Sequence, residues 1–186
     1  IKGFQLSVES LDPRSGKQYV YLETLGGGMG GRATKDGKDG VQVNITNTSN
    51  LPVEAIEMEY PLRVEDYALI EDSGGAGTHR GGMGIRRSIR PVGHMCEFNG
   101  VGERFRHQPW GIFGGTSGAQ GAFHIETHDV EKVSLTSKAS RVKLWPENIV
   151  VISTPGAGGY GTPKNRTKDA LRQDLASGKF TEDFLN

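Results

Sequence analysis

Two segments carry the spacing G-x-G-x-x-G: Gly26-Gly27-Gly28-Met29-Gly30-Gly31 and Gly156-Ala157-Gly158-Gly159-Tyr160-Gly161. That pattern holds a dinucleotide when its last glycine opens a helix whose first amides meet the pyrophosphate, with an acidic residue about 20 positions further on. Neither segment has this context. The first runs into the polar stretch 32–40, and the second into Thr162-Pro163 with little chain left for a βαβ unit. Both read as turns or loops. Residues 26–32 also have the spacing of a P-loop, but its phosphate-binding Lys and magnesium-binding Ser/Thr are missing, so this chain is not expected to bind ATP by itself.

Three further groupings could do chemistry. Glu71-Asp72-Ser73-Gly74-Gly75 echoes the nucleophile segment of serine proteases, whose glycines let backbone amides form an oxyanion hole. All five histidines (His79, His94, His107, His124, His128) follow Ser73, whereas the chymotrypsin arrangement needs one before it. A loop built on positive-φ glycines is the expectation instead. His124, Glu126 and His128 fall at strand spacing, yet same-face neighbours on a strand stand about 7 Å apart, too far for three to share one ion. Asp129 also points to a turn at His128, and no metal site is expected in this chain. His94 and Cys96 share a face without a third group to orient them, so Cys96 reads as a small packed residue.

The elements that must position these residues follow from patterning. Twenty-eight glycines among 186 residues are about twice the usual share and imply a loop-rich fold. Twenty-two Lys plus Arg balance 22 Asp plus Glu, which gives no drive toward nucleic acid or acidic lipid. No apolar run approaches a membrane span. A single cysteine rules out an internal disulfide and favours a reducing compartment, so the cytoplasm is expected. The first residue is Ile1, with no signal-peptide pattern behind it, which suggests a fragment or a processed product.

Alternation in residues 5–10 and β-branched and aromatic residues in 19–24, joined by Asp12-Pro13-Arg14-Ser15-Gly16, predict a hairpin. A half-buried strand is expected over 41–46, ending at Asn47. A short helix is expected over 52–60, with Asn50 able to cap it and Pro52 at an early helical position. Short extended runs follow at 63–71, 85–91, 93–98, 122–127, 132–136, 141–144 and 148–153. Residues 167–178 give the clearest helix, with Thr167 as cap, Ala170, Leu171, Asp174 and Leu175 along one face, and Gly178 as stop. That helix is expected to close the domain. The fold class is therefore mainly β, a β-rich α+β domain of short strands joined by Gly-rich loops with a C-terminal helix. One domain over 1–186 with one core is expected.

The remaining glycine loops bring backbone close to another segment, a partner subunit or a small ligand, and spacing does not choose among these. Taken together, ordered blocks resemble the hydantoinase B/oxoprolinase family. They are residues 21–31, Thr46-Asn47-Thr48, Pro52-Val53-Glu54-Ala55, Tyr60-Pro61-Leu62-Arg63-Val64, and residues 72–84, 109–115 and 154–161. The resemblance implies a C-terminal lobe of a B-type subunit in an ATP-dependent cyclic-amide hydrolase of 5-oxoprolinase, hydantoinase or lactamase type. The isolated chain would be inactive.

It also implies three partners: the remainder of the B-type subunit, an actin-like A-type subunit that uses ATP and a divalent metal ion, and a small cyclic-amide substrate. Substrate-proximal residues are expected at Gly27, Gly28, Gly30, Asn47, Asp72 and Arg80, where polar or backbone groups beside glycines can approach a small polar ligand. For Asp72 and Arg80, bracing a loop by ion pairing is the equal alternative. Three departures bear on substrate preference, one of them the unusual segment 100–107 before Pro109-Trp110. Gln42, Asn44 and Thr46 stand where many relatives look His-bearing, and Ala157 stands where glycine is common. A subunit of an acetone- or acetophenone-type carboxylase and a non-catalytic interface module are the competing functions.

Overall fold

The structure is a computed structural model and describes residues 4–43, 48–127 and 132–185. Strands β1 (Phe4–Leu11) and β2 (Gln18–Leu25) form the expected hairpin, with Val8 opposite Tyr21. Its turn is set by Asp12, whose carboxylate accepts the Arg14 amide at 2.8 Å, and by Gly16 at φ 68°. Helix α1 (Val53–Glu59) and strand β3 (Leu62–Leu69) come next. Then follow β4 (Ile85–Pro91), β5 (Cys96–Val101), β6 (Ala122–Glu126), β7 (Lys132–Leu135), β8 (Lys138–Leu144) and β9 (Ile149–Ser153). A 3-10 turn at Pro163–Asn165 leads to α2 (Lys168–Ala176) and α3 (Glu182–Leu185).

Two antiparallel sheets result, ordered β2-β1-β5-β8 and β3-β4-β9-β6-β7. Their inner faces carry the apolar half of each alternation and pack together as one core. Phe4 and Phe98 of the first sheet meet Phe123 of the second edge-on, with ring centroids at 5.2 and 5.7 Å. That geometry suits the ring quadrupoles. Cys96 lies in this core, and burial pushes its thiol up to about 12, which keeps it protonated and inert. The Arg87 guanidinium is also fully buried, paired with the Glu23 carboxylate that Tyr21 hydrogen-bonds.

Several expectations are corrected. Of residues 41–43, the described part of the strand expected over 41–46, Val41 alone makes a bridge, to Gly27; residues 44–47, Asn47 included, lie outside the described residues, as do His128 and Asp129. Asn50 does not cap α1: its side-chain oxygen takes the Gly26 amide at 3.1 Å, and Pro52 stands at the N-cap without a side-chain bond. The strand expected at 93–98 begins only at Cys96, because Gly93 at φ 72° belongs to the preceding turn. β8 starts three residues early. A register shift opposite β5 and Arg141 at φ 53° break the alternation there, so the pattern is readable only beyond the bulge. Thr167 caps α2 as expected, accepting the Ala170 amide at 3.3 Å, and Gly178 at φ 65° ends it. The expected C-terminal helix is thus present, and the four-residue α3 follows it.

Candidate functional site: a junction of glycine backbones

Loops converge at one end of the five-stranded sheet. The antiparallel order places the ends of β3 and β9 beside the starts of β4 and β6, so segments 70–84, 109–121 and 154–161 emerge together. The loop after β2 joins them, and the loops bond to one another through their backbones. Gly28 donates to the Pro155 carbonyl at 3.0 Å, Met29 to Lys38 at 2.9 Å and Gly82 to Met29 at 2.8 Å. Ala157 donates to Gly82 at 3.0 Å, Gly75 to Ala157 at 2.8 Å and Gly159 to Thr116 at 3.0 Å.

Side chains have no room in this weave. A Cβ on Gly156 would lie 1.7 Å from the Ser73 carbonyl oxygen, one on Gly81 1.8 Å from that of Ala157, and one on Gly37 1.8 Å from that of Met29. Each is far inside contact distance with a backbone atom. The positive-φ loop expected at residues 71–75 is corrected accordingly: Gly74 and Gly75 are not left-handed, and Asp72 itself takes φ 56°. Close approach rather than left-handed backbone is what requires glycine here, and the approaching group is another segment of the same chain.

The expected site residues occupy different parts of the junction. Gly27 exchanges both backbone bonds with Val41, at 3.1 and 2.8 Å, and Gly28 is closed in by Gly82. Gly30 has open space, since a Cβ there would come no nearer than 3.8 Å to the Gly158 carbonyl. Arg80 is buried; its Nη1 donates to Asp39 at 2.9 Å, its Nε to Asp174 at 3.1 Å, and its amide to Asp36 at 2.9 Å. Asp72 accepts the Thr181 amide at 2.9 Å and its hydroxyl at 2.8 Å. Arg80 thus makes ion pairs of the kind expected of a brace, whereas Asp72 is held by hydrogen bonds to Thr181. Among the described residues the structure does not gather Gly30, Asp72 and Arg80 around one space.

Residues that sequence reasoning missed complete a clasp. Arg166 grips Asp36 through two bonds of 2.9 Å and Asp174 through one of 2.8 Å, while Lys179 reaches Asp39 at 2.8 Å. Burial alone would raise the Asp36 and Asp39 carboxyls, but the charge and hydrogen bonds of Arg166, Arg80 and Lys179 outweigh it and hold both below the ordinary range. Phe180 is buried beneath Arg80, whose guanidinium lies 5.6 Å from the ring centre. One signal was visible: Asp174 stands on the same helical face as Ala170 and Leu171, where an acid needs a buried partner.

A cavity of about 440 Å³ opens between the clasp and the junction, with Arg80, Arg166 and Asp174 beside Phe180, Phe184 and Leu171. On the outer face of the five-stranded sheet, His124 bonds Glu126 at 3.0 Å; burial outweighs that bond and lowers the imidazole. Among the described residues no three His, Cys, Asp or Glu side chains converge on a metal position. The loop amides named above donate to carbonyls and offer no cradle to a phosphate. No helix among the described residues is long and apolar enough to cross a membrane.

Fold and junction together define a mainly β fold in which two antiparallel sheets carry an interlocked glycine layer. Residues 4–163 match the model of the Hydantoinase B/oxoprolinase family, and the chain belongs to that family. It is 44% identical to an uncharacterised protein of Methanocaldococcus jannaschii, over 89% of this chain and 29% of that protein. It is 34% identical to the B-type subunit of a putative D-/L-hydantoinase from a Pseudomonas species, over 96% of this chain and 30% of the relative. The chain thus spans about a third of these relatives' length or less. Its fold is that of part of the ATP-dependent caprolactamase from Pseudomonas jessenii, with TM-score 0.81 and 22% identity over 98% of this chain and 34% of that one. Acetone carboxylase shares the fold at TM-score 0.77 and 15% identity, over 99% and 29% of the two chains.

Proposed function

We propose that this chain is the C-terminal lobe of the B-type component of an ATP-dependent cyclic-amide hydrolase, working with the remainder of that subunit and an A-type, ATP-using partner. An amide carbonyl is a poor electrophile until its oxygen becomes a leaving group, so activation by ATP and ring opening divide naturally between two components. The observation that carries the reading is the junction. Blocks 21–31, 72–84, 109–115 and 154–161, which carry the family resemblance, are the ones whose backbones interlock. In this proposal the half-buried, open Gly30 is the loop position left for a small polar ligand, while Gly27, Gly28 and Arg80 hold that loop and its continuation in place and Asp72 ties down the C-terminal segment.

A second reading, a lobe with a purely architectural role, is favoured by the inward bonding of Arg80 and Asp72. The untagged complex from the source organism separates the two. ADP release that depends on 5-oxoproline, a hydantoin or a lactam supports the first, and Gly30→Val should then raise KM. ADP release that depends only on a ketone plus bicarbonate would replace it with a carboxylase. Turnover indifferent to Gly30→Val would favour the architectural role.

A further inference from the structure

Three large apolar side chains stand out within four consecutive residues: Trp110 is 65% exposed, Ile112 43% and Phe113 75%. Tyr160 extends the patch, its ring 5.1 Å from that of Phe113. Exposed apolar residues scattered singly need no explanation, but three on one short, closely backed loop do.

The backbone beneath the cluster is rigid. Ile112 donates to Gly159 at 3.0 Å and accepts from Gly161 at 3.0 Å and from Gly115 at 3.1 Å. A Cβ on Gly158 would meet the Trp110 carbonyl oxygen at 2.0 Å. Strain is concentrated here as well. Of the four non-glycine residues with positive φ among the described residues, Phe113 (52°) and Arg104 (63°) both belong to this patch. A bulky side chain at positive φ is costly and persists where its surroundings or its function demand it. The Arg104 guanidinium lies 4.7 Å from the Trp110 ring centre, and exposed Arg106 follows in the same loop, with exposed Glu103 before it, so arginine flanks the knob.

We infer that this knob is the docking surface for the remainder of the B-type subunit, which receives Trp110 and Phe113 in an apolar pocket edged by carboxylates. The inference rests on the reading of the chain as one lobe of such a subunit. Relatives are about three times its length, so the larger part of the subunit must cover some face of this lobe. A rigid aromatic tip flanked by arginine is the kind of anchor that dominates interfaces, because little side-chain entropy is lost when it is buried. The knob also lies inside the family-matching region, on the glycine layer itself.

Hydroxyl-radical footprinting tests this, with Trp145, 51% exposed, as internal reference. Trp110 and Trp145 should oxidise at similar rates in the isolated chain. In the assembly purified from its source, with the B-type segment identified by peptide mapping, Trp110 oxidation should fall at least about fivefold while Trp145 changes less than about twofold. The double variant Trp110→Ser, Phe113→Ser should lose that segment on purification while keeping the melting temperature of the isolated chain. If the B-type segment is present but Trp110 stays fully reactive, or the double variant retains it, the docking site is elsewhere and the inference fails. If the chain purifies with no B-type segment, the lobe reading fails and the inference with it. Protection of Trp110 by a second copy of the chain, seen as a dimer in sedimentation, would also overturn it.

Discussion

Between the two sheets Phe4, Phe98 and Phe123 fill the gap with interlocking rings, whereas at the end of the same molecule Gly28, Gly81 and Gly156 bring bare backbones into contact. The first region is held by buried apolar area, which is roughly proportional to surface and tolerant of shape. The second is held by directed N–H···O bonds between chains too close to admit a methyl group. Tolerance to substitution should therefore differ sharply between two regions that are equally buried. The high glycine content is explained by the second region, where close approach rather than flexibility is required.

Substitutions can break that comparison. Gly156→Ala places a carbon on the Ser73 carbonyl and should cost more than about 4 kcal/mol, leaving little folded chain in a urea titration. Phe98→Leu in the core should cost only about 1–2 kcal/mol, and equal losses for the two would refute the contrast. Arg80→Ala leaves Asp174 with Arg166 alone and the half-buried Asp39 with Lys179 alone and should cost about 2–3 kcal/mol, with α2 released first in limited proteolysis. Gly93→Ala meets no atom within 4 Å and suffers only from its φ of 72°, so a loss of about 1–2 kcal/mol is expected. That would separate left-handed backbone from close approach as the reason for glycine.

Acid gives the smallest effect and the sharpest localisation. Asp36 and Asp39 titrate below their ordinary value when folded, so their stabilisation is complete above that value and is lost as pH falls through the folded one. His124 is lowered too, by burial. The unfolded chain takes up a proton first as pH drops below about 6.5, and stability declines until the folded imidazole also titrates. Melting temperature against pH should show two declines: one near neutrality that His124→Gln removes, and one in the acid range that Arg166→Gln weakens.

Much of the sandwich was legible in the sequence. The hairpin of β1 and β2, the cap and stop of α2, and the approximate course of β3, β4, β6 and β9 follow from alternation and turn chemistry. The start of β8 was hidden by the bulge at Arg141, and that of β5 by the Gly93 turn. The glycine junction was legible only as an unassigned closeness. Glycine has no side chain to carry a period, so nothing in the spacing says that Gly28 meets Gly82 or that Gly156 meets Ser73. The clasp escaped for a related reason: Asp36 and Asp39 sit in a polar loop that looks solvated until Arg80 and Arg166 are brought to it from distant positions.

The central claim is that the glycine junction is as rigid as the sheets and unfolds only with them. Native-state hydrogen exchange resolved by residue tests it most directly. The amides of Gly28, Gly75, Gly82 and Ala157 should exchange with the same free energy as those of Val150 and Val151 in β9, that is, by global unfolding. Exchange of the four junction amides near the rate of an unstructured peptide, while β9 stays protected, would contradict it and make the loops a mobile surface.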